Sequence, residues 1–201
     1  MIEGFRKYFV CFFCVFLYAC AGSDTRQDDV SVTKATISYF EVDSDVELDF
    51  NDAIELMQQD KNQQAVDILK TVIEREQRLA APYVNIAIAY NKLGETKEAE
   101  ENLIKALKLD IGHPVANNEL GLLYRKAGKF NAARVAYENA IKDNPDYLPV
   151  KKNLGVLCDL YLHDYECALV QFEGYLEVDP DDKAVKIWAA DVKQRLGIKI
   201  N

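Results

Sequence analysis

The sequence predicts an all-α solenoid of about four stacked helical hairpins that ends in a C-terminal capping helix. Glycine and proline are scarce, at 9 and 5 of 201 residues, which favours helices over a turn-rich β fold. Residues of similar size recur every 34 positions, and such a period is typical of stacked helical hairpins. The apolar share of 49% and the charged share of 28% are those of a folded domain and exclude wholesale disorder.

The first twenty residues have the pattern of an export signal. Arg6 and Lys7 form a short positive region, and the next twelve residues, 8–19, are uncharged and apolar. A membrane-spanning helix needs about twenty such residues, so this run is short for a permanent span and typical of a signal peptide. The sequence therefore predicts a signal peptide over residues 1–19.

The end of this run, Leu17-Tyr18-Ala19-Cys20, resembles the lipobox of bacterial lipoproteins. The resemblance implies that Cys20 becomes an acylated N-terminus, with palmitate among its lipids, which anchors the protein without spanning the membrane. The alternative is an ordinary cleaved signal or a short uncleaved anchor. Ala21 stands where an aspartate would resemble an inner-membrane retention signal. The resemblance therefore implies that the lipid anchors the protein to the periplasmic face of the outer membrane.

Residues 20–45 are polar and acidic and lack helical periodicity, so they predict a flexible tether. The whole chain carries a formal charge of −9, which argues against sequence-independent binding to nucleic acid. We therefore expect no nucleic acid as a partner. The partners that we expect are a membrane, which the protein contacts through the lipid, and another protein.

The remaining residues repeat with a period of 34. This period divides residues 46–181 into four repeats and leaves residues 182–201 as a capping helix with a short tail. The approximate repeats are 46–79, 80–113, 114–147 and 148–182. Residues that recur at this interval are Ile86, Leu120 and Leu154; Ala87, Gly121 and Gly155; Tyr90 and Tyr124; Gly94 and Gly128; Ala99 and Ala133; and Ala106 and Ala140.

The third copy carries the fullest motif, which is Leu120-Gly121-x-x-Tyr124 followed by Ala133-x-x-x-Tyr137, Ala140 and Pro145. This motif resembles the tetratricopeptide repeat (TPR), with Asn117 in the place of the usual Trp. The resemblance implies two antiparallel helices per repeat, and these hairpins stack because one hairpin cannot bury its apolar face alone.

The fourth repeat is one residue longer than the others. Gly155 keeps the period of 34, but Ala168 lies 35 residues after Ala133, so we expect the extra residue in the turn around 162–164. After this repeat, residues 182–196 predict the amphipathic capping helix, with Ala184, Ile187, Trp188 and Val192 as its apolar stripe.

The sequence contains no recognisable catalytic motif, so we expect no enzyme activity, no cofactor and no small-molecule substrate. The spacing of Cys158, His163 and Cys167 matches no standard zinc pattern, and a fourth ligand is missing, so no metal is expected. Cys158 and Cys167 flank one turn, and a disulfide between them is geometrically plausible in an exported protein. Two small buried thiols are the alternative.

The resemblance implies that the first helix of each repeat lines a concave groove. Asparagines there resemble the asparagine ladder of peptide-binding repeat proteins, and basic residues favour an acidic segment or a terminal carboxylate. The alternatives are local hydrogen bonds for the amides and a solubilising role for the charges. The predicted groove residues are Asn51, Asn85, Lys92, Asn118, Arg125, Lys126, Lys152 and Asn153.

The pattern resembles bacterial TPR lipoproteins that act as pilotins for pilus secretins, as outer-membrane assembly factors or as accessories of envelope machines. The resemblance implies a membrane-anchored scaffold in the cell envelope that binds a peptide or protein. The alternatives are an accessory of a peptidoglycan-enzyme complex or of a TonB/ExbB-type energy-transducing system.

Overall fold

The structure, a computed structural model, describes residues 42–199. The predicted signal peptide, Cys20 and most of the predicted tether lie outside the described residues. Within 42–199 the chain forms nine α-helices and no strand, so the predicted all-α solenoid is confirmed. The helices are α1 (Ser44–Gln58), α2 (Asn62–Arg75), α3 (Ala80–Leu93), α4 (Thr96–Leu109), α5 (Pro114–Lys126), α6 (Phe130–Asp143), α7 (Leu148–Leu157), α8 (Tyr165–Leu176) and α9 (Lys183–Arg195).

The helices pair in sequence order into four hairpins, α1–α2, α3–α4, α5–α6 and α7–α8, and α9 packs on α8. The first helices of the second, third and fourth hairpins begin at Ala80, Pro114 and Leu148, which keeps the interval of 34. Pro114 begins α5 where a missing N–H costs no hydrogen bond, and Pro145 follows the end of α6, which it cannot continue.

Each hairpin turns through one residue in the left-handed backbone region. These residues are Asp60, Gly94, Gly128 and His163, with φ of 60°, 83°, 72° and 53°. The first three lie 34 residues apart, and His163 follows Gly128 by 35. Glycine occupies two of the positions because it adopts this conformation without the steric cost that a side chain adds.

Small residues allow the two helices of each hairpin to approach closely. A Cβ on Gly121 would overlap the ring of Tyr137, and a Cβ on Gly155 would overlap the ring of Phe172. The facing helices contribute alanines at intervals of 34, 34 and 35 residues, and none of these side chains is exposed. They are Ala65, Ala99, Ala133 and Ala168.

The extra residue of the fourth repeat extends its first helix. Residues Cys158–Leu162 form a π-helical turn, named the π-turn here, directly after α7. The amide of Asp164 donates to the carbonyl oxygen of Cys158 at 2.9 Å, which closes this wider turn. The insertion therefore begins earlier than the predicted positions 162–164, because the backbone absorbs it by widening a helical turn.

The α1 end of the solenoid differs from its middle. Asp52 and Glu55 are exposed on α1, whereas the equivalent residues of α5, Leu120 and Leu123, are buried against the preceding hairpin. The outer face of α1 therefore carries two carboxylates beside Leu48, which is 61% exposed on the same face.

The capping helix begins at Asp182, whose carboxylate accepts hydrogen bonds from the amides of Ala184 and Val185 at 2.9 and 3.1 Å. Val185, Ala189 and Val192 are its buried residues. The prediction that Ile187 belongs to the buried stripe is wrong, because this side chain is 67% exposed. The buried face lies on nearly the opposite side of the helix, because a step of two residues, to Val185 or to Ala189, turns the helix by about 200°.

Candidate functional site

The first helices of successive hairpins form one continuous face, named the groove face here. Helices α1, α3, α5 and α7 contact one another in order, whereas open cavities of about 230 to 500 Å³ separate the second helices. Four apolar side chains at the repeat interval are half-buried along the groove face. They are Ile54, Ile88, Leu122 and Val156, and they are named the apolar floor here.

The predicted asparagines do not form one uniform row. Asn118 is buried, and its Oδ1 accepts a hydrogen bond from Nδ2 of Asn153 at 2.8 Å, which joins α5 to α7. The amide of Asn85 donates to the carbonyl oxygen of Ala81 in its own helix at 2.9 Å, and Asn51 is exposed. The local hydrogen bond that was the alternative for these amides is therefore present at Asn85.

Glu119 lies between the asparagine pair and the basic residues of α5. Its Oε1 accepts a hydrogen bond from Nδ2 of Asn118 at 3.2 Å. Burial raises the pKa of this carboxyl, and the Asn118 hydrogen bond and the positive charge of Lys126 oppose that rise. Lys126 itself is exposed.

Two of the predicted basic residues are engaged elsewhere. The Nζ of Lys152 lies 2.8 Å from Oδ2 of Asp182 and 5.4 Å from the ring centres of Tyr175 and Trp188, so it joins the fourth hairpin to the capping helix. The Nζ of Lys92 lies 3.7 Å from Oδ1 of Asp60. The predicted basic stretch is therefore reduced in its centre to Arg125 and Lys126.

Arg125 differs from the other arginines between residues 42 and 199. Arg75, Arg78, Arg134 and Arg195 each form an ion pair with a carboxylate, and Arg125 forms none. Its Nε is buried without a hydrogen-bond partner, and its Cζ lies 5.8 Å from the ring centre of Tyr161. Among the described arginines, Arg125 is therefore the one whose guanidinium is not neutralised by a carboxylate.

Tyr161 is a residue of this site that sequence reasoning missed. It lies in the π-turn, and its ring centre is 4.7 Å from that of Phe130 at the start of α6. The spacing of 35 in the fourth repeat indicates a longer turn. Only the fold shows that this turn reaches Arg125.

The structure joins Cys158 and Cys167 by a disulfide, with their Cα atoms 5.9 Å apart. Together with Asp164 they form the one group in the described part of the chain with metal-ligand spacing, and His163 is not part of it. Both carboxylate oxygens of Asp164 already accept hydrogen bonds, from the Cys167 amide and from Arg134. Bonded sulfurs and an engaged carboxylate do not fit a metal site.

None of the helices between residues 42 and 199 has the length and apolar content to cross a membrane.

Comparison with known proteins identifies the repeats. Residues 80–110 and 114–147 each match a model of the tetratricopeptide repeat. A stretch of 93 residues is 26% identical to the probable UDP-N-acetylglucosamine–peptide N-acetylglucosaminyltransferase SPINDLY of Solanum lycopersicum. That stretch is 46% of this chain and only 10% of the tomato protein.

Solved structures share the fold at low sequence identity. PilF of Pseudomonas aeruginosa superimposes with a TM-score of 0.69 at 22% identity, over 75% of this chain and 68% of PilF. MamA of Desulfovibrio magneticus RS-1, residues 41 to the end, superimposes with a TM-score of 0.65 at 19% identity, over 77% and 87% of the two chains. A tetratricopeptide repeat protein of Parabacteroides merdae superimposes with a TM-score of 0.61 at 20% identity, over 76% of this chain and 59% of that protein. Residues 80–110 and 114–147 are therefore tetratricopeptide repeats, and the described domain shares its fold with tetratricopeptide-repeat proteins.

Proposed function

We propose that this protein is a lipid-anchored scaffold of the bacterial cell envelope and that its groove face binds a segment of another envelope protein. The observation that carries the proposal is Arg125, which has no carboxylate partner within the described residues and lies one turn of α5 from the apolar floor at Leu122. Apolar side chains of a bound segment cover the floor, and a carboxylate of that segment pairs with Arg125.

The asparagine pair defines the remainder of the site. Because Asn118 and Asn153 bond to each other at 2.8 Å, they fix the distance between α5 and α7 before a partner arrives. A preformed site loses less conformational freedom on binding than a site that must first be ordered. This arrangement supports a role for the third and fourth hairpins as the centre of the binding surface.

The binding proposal is tested by reversing the charge of Arg125. We expect Arg125→Glu to reduce the amount of partner recovered by cross-linking from membranes about tenfold or more, as the loss of a charge-assisted pair does. The matched control is Lys142→Glu, which makes the same change at an exposed position of α6. If both variants recover the same amount of partner, the groove face is not the binding surface. The identity of the recovered protein also separates envelope assembly from a peptidoglycan-enzyme or energy-transducing complex.

The anchor has a separate test at Cys20, which lies outside the described residues. We expect Cys20→Ser to move the protein from the membrane fraction to the soluble fraction, because the thiol that carries the lipid is absent. Metabolic labelling with a palmitate analogue measures the same change directly. A Cys20→Ser protein that stays with membranes would show that the anchor is something other than a lipid on Cys20.

A further inference from the structure

The disulfide encloses the segment of chain that contacts Arg125. Cys158 begins the π-turn, Cys167 lies in the first turn of α8, and Tyr161 lies between them. The ring of Tyr161 packs on Phe130 with 4.7 Å between ring centres, and the guanidinium of Arg125 lies over the ring of Tyr161 at 5.8 Å. A cation over an aromatic ring is attracted to it, so Tyr161 orients Arg125.

The π-turn has a backbone that is rarely adopted. It is a widened helical turn, and it is followed by His163 at a φ of 53°, where a side chain is disfavoured. Such a segment persists only where its surroundings hold it in place. Its first residues are also held by Asp159, which bonds to Arg195 at 2.8 Å, and the start of α8 is held by Asp164, which bonds to Arg134 at 2.9 Å. Residues 160–163 lie between these two points, inside the loop that the disulfide closes.

Cys167 is the more accessible of the two bonded cysteines. Cys158 is fully buried, but Cys167 is half-buried and lines an open cavity of about 500 Å³ on the face opposite the groove. A thiolate that enters this cavity reaches Cys167 before Cys158. The direction of attack in a thiol–disulfide exchange is therefore set by the fold.

We infer that the Cys158–Cys167 disulfide is a redox latch that holds Arg125 in place on the groove face through Tyr161. A thiolate of a dithiol reductant attacks Sγ of Cys167, and Sγ of Cys158 leaves and takes up a proton. The second thiol of the reductant then displaces Cys167, which leaves as a thiol, and the reductant becomes a disulfide. Two electrons and two protons pass to the protein, and the π-turn with Tyr161 is released.

The position of Arg125 does not depend on the proposed function, but the consequence for partner binding rests on it. With the disulfide formed, the guanidinium is oriented before a carboxylate arrives. With the disulfide reduced, the same side chain must be ordered on binding, which lowers the affinity for an acidic segment. The oxidation state of one turn would thus regulate the groove.

Chemical modification of Arg125 tests the latch without any partner. Phenylglyoxal modifies accessible guanidinium groups, and peptide mass spectrometry measures the rate at each arginine. We expect reduction with dithiothreitol to raise the rate at Arg125 about threefold or more, as the loss of a cation–π contact does. Arg75 in the first hairpin is the internal reference, and its rate should not change. An Arg125 rate that is the same in the oxidised and reduced protein would overturn the inference.

A pair of variants tests the contact through Tyr161 while the disulfide stays intact. Tyr161→Ala should raise the rate at Arg125 in the oxidised protein to that of the reduced wild type. Leu160→Ala, at the neighbouring exposed position of the π-turn, should leave the rate unchanged. If Tyr161→Ala has no effect, or if Leu160→Ala has the same effect, Tyr161 does not connect the disulfide to Arg125. Failure of these tests leaves the partner-capture experiment with Arg125→Glu unaffected.

Discussion

Tyr137 is a buried aromatic residue whose hydroxyl has no hydrogen-bond partner among the described residues. Burial raises the pKa of this hydroxyl to about 12, although the nearby positive charge of Arg125 acts in the opposite direction. The equivalent residues of the neighbouring hairpins, Leu103 and Phe172, are apolar. The position therefore requires a large apolar body, and only a weak interaction with the Arg125 side chain offsets the desolvation cost of the hydroxyl.

Removing this hydroxyl should stabilise the protein. We expect Tyr137→Phe to raise the free energy of unfolding by about 1 kcal/mol, because it removes an unsatisfied buried group and keeps the ring. Chemical denaturation measures the change. The control is Tyr175→Phe, which should lower stability because the Tyr175 hydroxyl donates to Asp182 at 3.1 Å. A loss of stability in Tyr137→Phe would contradict this, because it would show that the Tyr137 hydroxyl makes a stabilising hydrogen bond.

Gly121 should tolerate no side chain. We expect Gly121→Ala to cost about 1–3 kcal/mol, because the new Cβ overlaps the ring of Tyr137, which is fully buried and has no space to move. Gly174 in α8 is the matched control, since a Cβ there would lie 3.6 Å from Nζ of Lys151 in ordinary contact. Gly174→Ala should therefore gain about 1 kcal/mol from helix propensity alone. Thermal unfolding of the two variants should shift in opposite directions, and a shift in the same direction would contradict this account.

At the scale of one element, the capping helix is held by a charged cluster at its N-terminus. Asp182 caps α9 and accepts from Lys152 at 2.8 Å and from Tyr175 at 3.1 Å. The Lys152 hydrogen bond is the largest cause that lowers the pKa of Asp182 to about 2, and the Val185 amide adds to it. The pKa of a free aspartate is about 4, so the folded state favours the charged form.

This pKa predicts how the capping helix responds to acid. Because the folded-state pKa lies below the unfolded value, the stabilisation is fully present above about pH 4 and is lost as the pH falls towards 2. We expect the melting temperature of the wild type to fall more steeply over this range than that of Asp182→Asn, which keeps a capping side chain without the charge. Asp181→Asn, at a neighbouring carboxylate that is 98% exposed, is the control and should behave as the wild type. If the melting temperatures of wild type and Asp182→Asn fall equally with pH, the charge of Asp182 does not stabilise the capping helix.

The hairpins could be predicted from the sequence because their determinants are local and periodic. Gly94 and Gly128 mark the turns, and the alanines at positions 99 and 133 mark the close helix contacts. The π-turn could not be predicted, since one extra residue can widen a helix or lengthen a loop, and the choice depends on the bond from Asp164 to Cys158. The hydrogen-bond partners of the groove residues could not be predicted either, because those of Asn118 and Lys152 lie 35 and 30 residues away in the sequence.

At the scale of the whole described domain, the core consists of two clusters of buried side chains. One is formed by α1 to α5 with Ala136 of α6, and the other by α6 to α9. Tyr124 packs against both clusters and connects them. In a linear array each hairpin contacts only its neighbours, so a local change in stability should spread over a short distance.

A pair of cavity-forming variants tests this linear coupling. Leu69 is fully buried in α2 and Phe172 is 1% exposed in α8, so replacing either by Ala should cost about 3 kcal/mol or more. We expect Leu69→Ala to increase amide hydrogen exchange in α1 to α3 and to leave α8 and α9 unchanged, and Phe172→Ala to produce the reverse pattern. A uniform increase along the chain in both variants would show that the domain unfolds as one unit.

The two carboxylates on the outer face of α1 also affect whether copies of this domain can join end to end. A solenoid with identical apolar ends adds further molecules end to end and grows into an open filament. Here Asp52 and Glu55 occupy the positions that such a junction would bury, and a buried carboxylate without a partner costs several kcal/mol. These two carboxylates therefore disfavour end-to-end addition at the α1 end of the described domain.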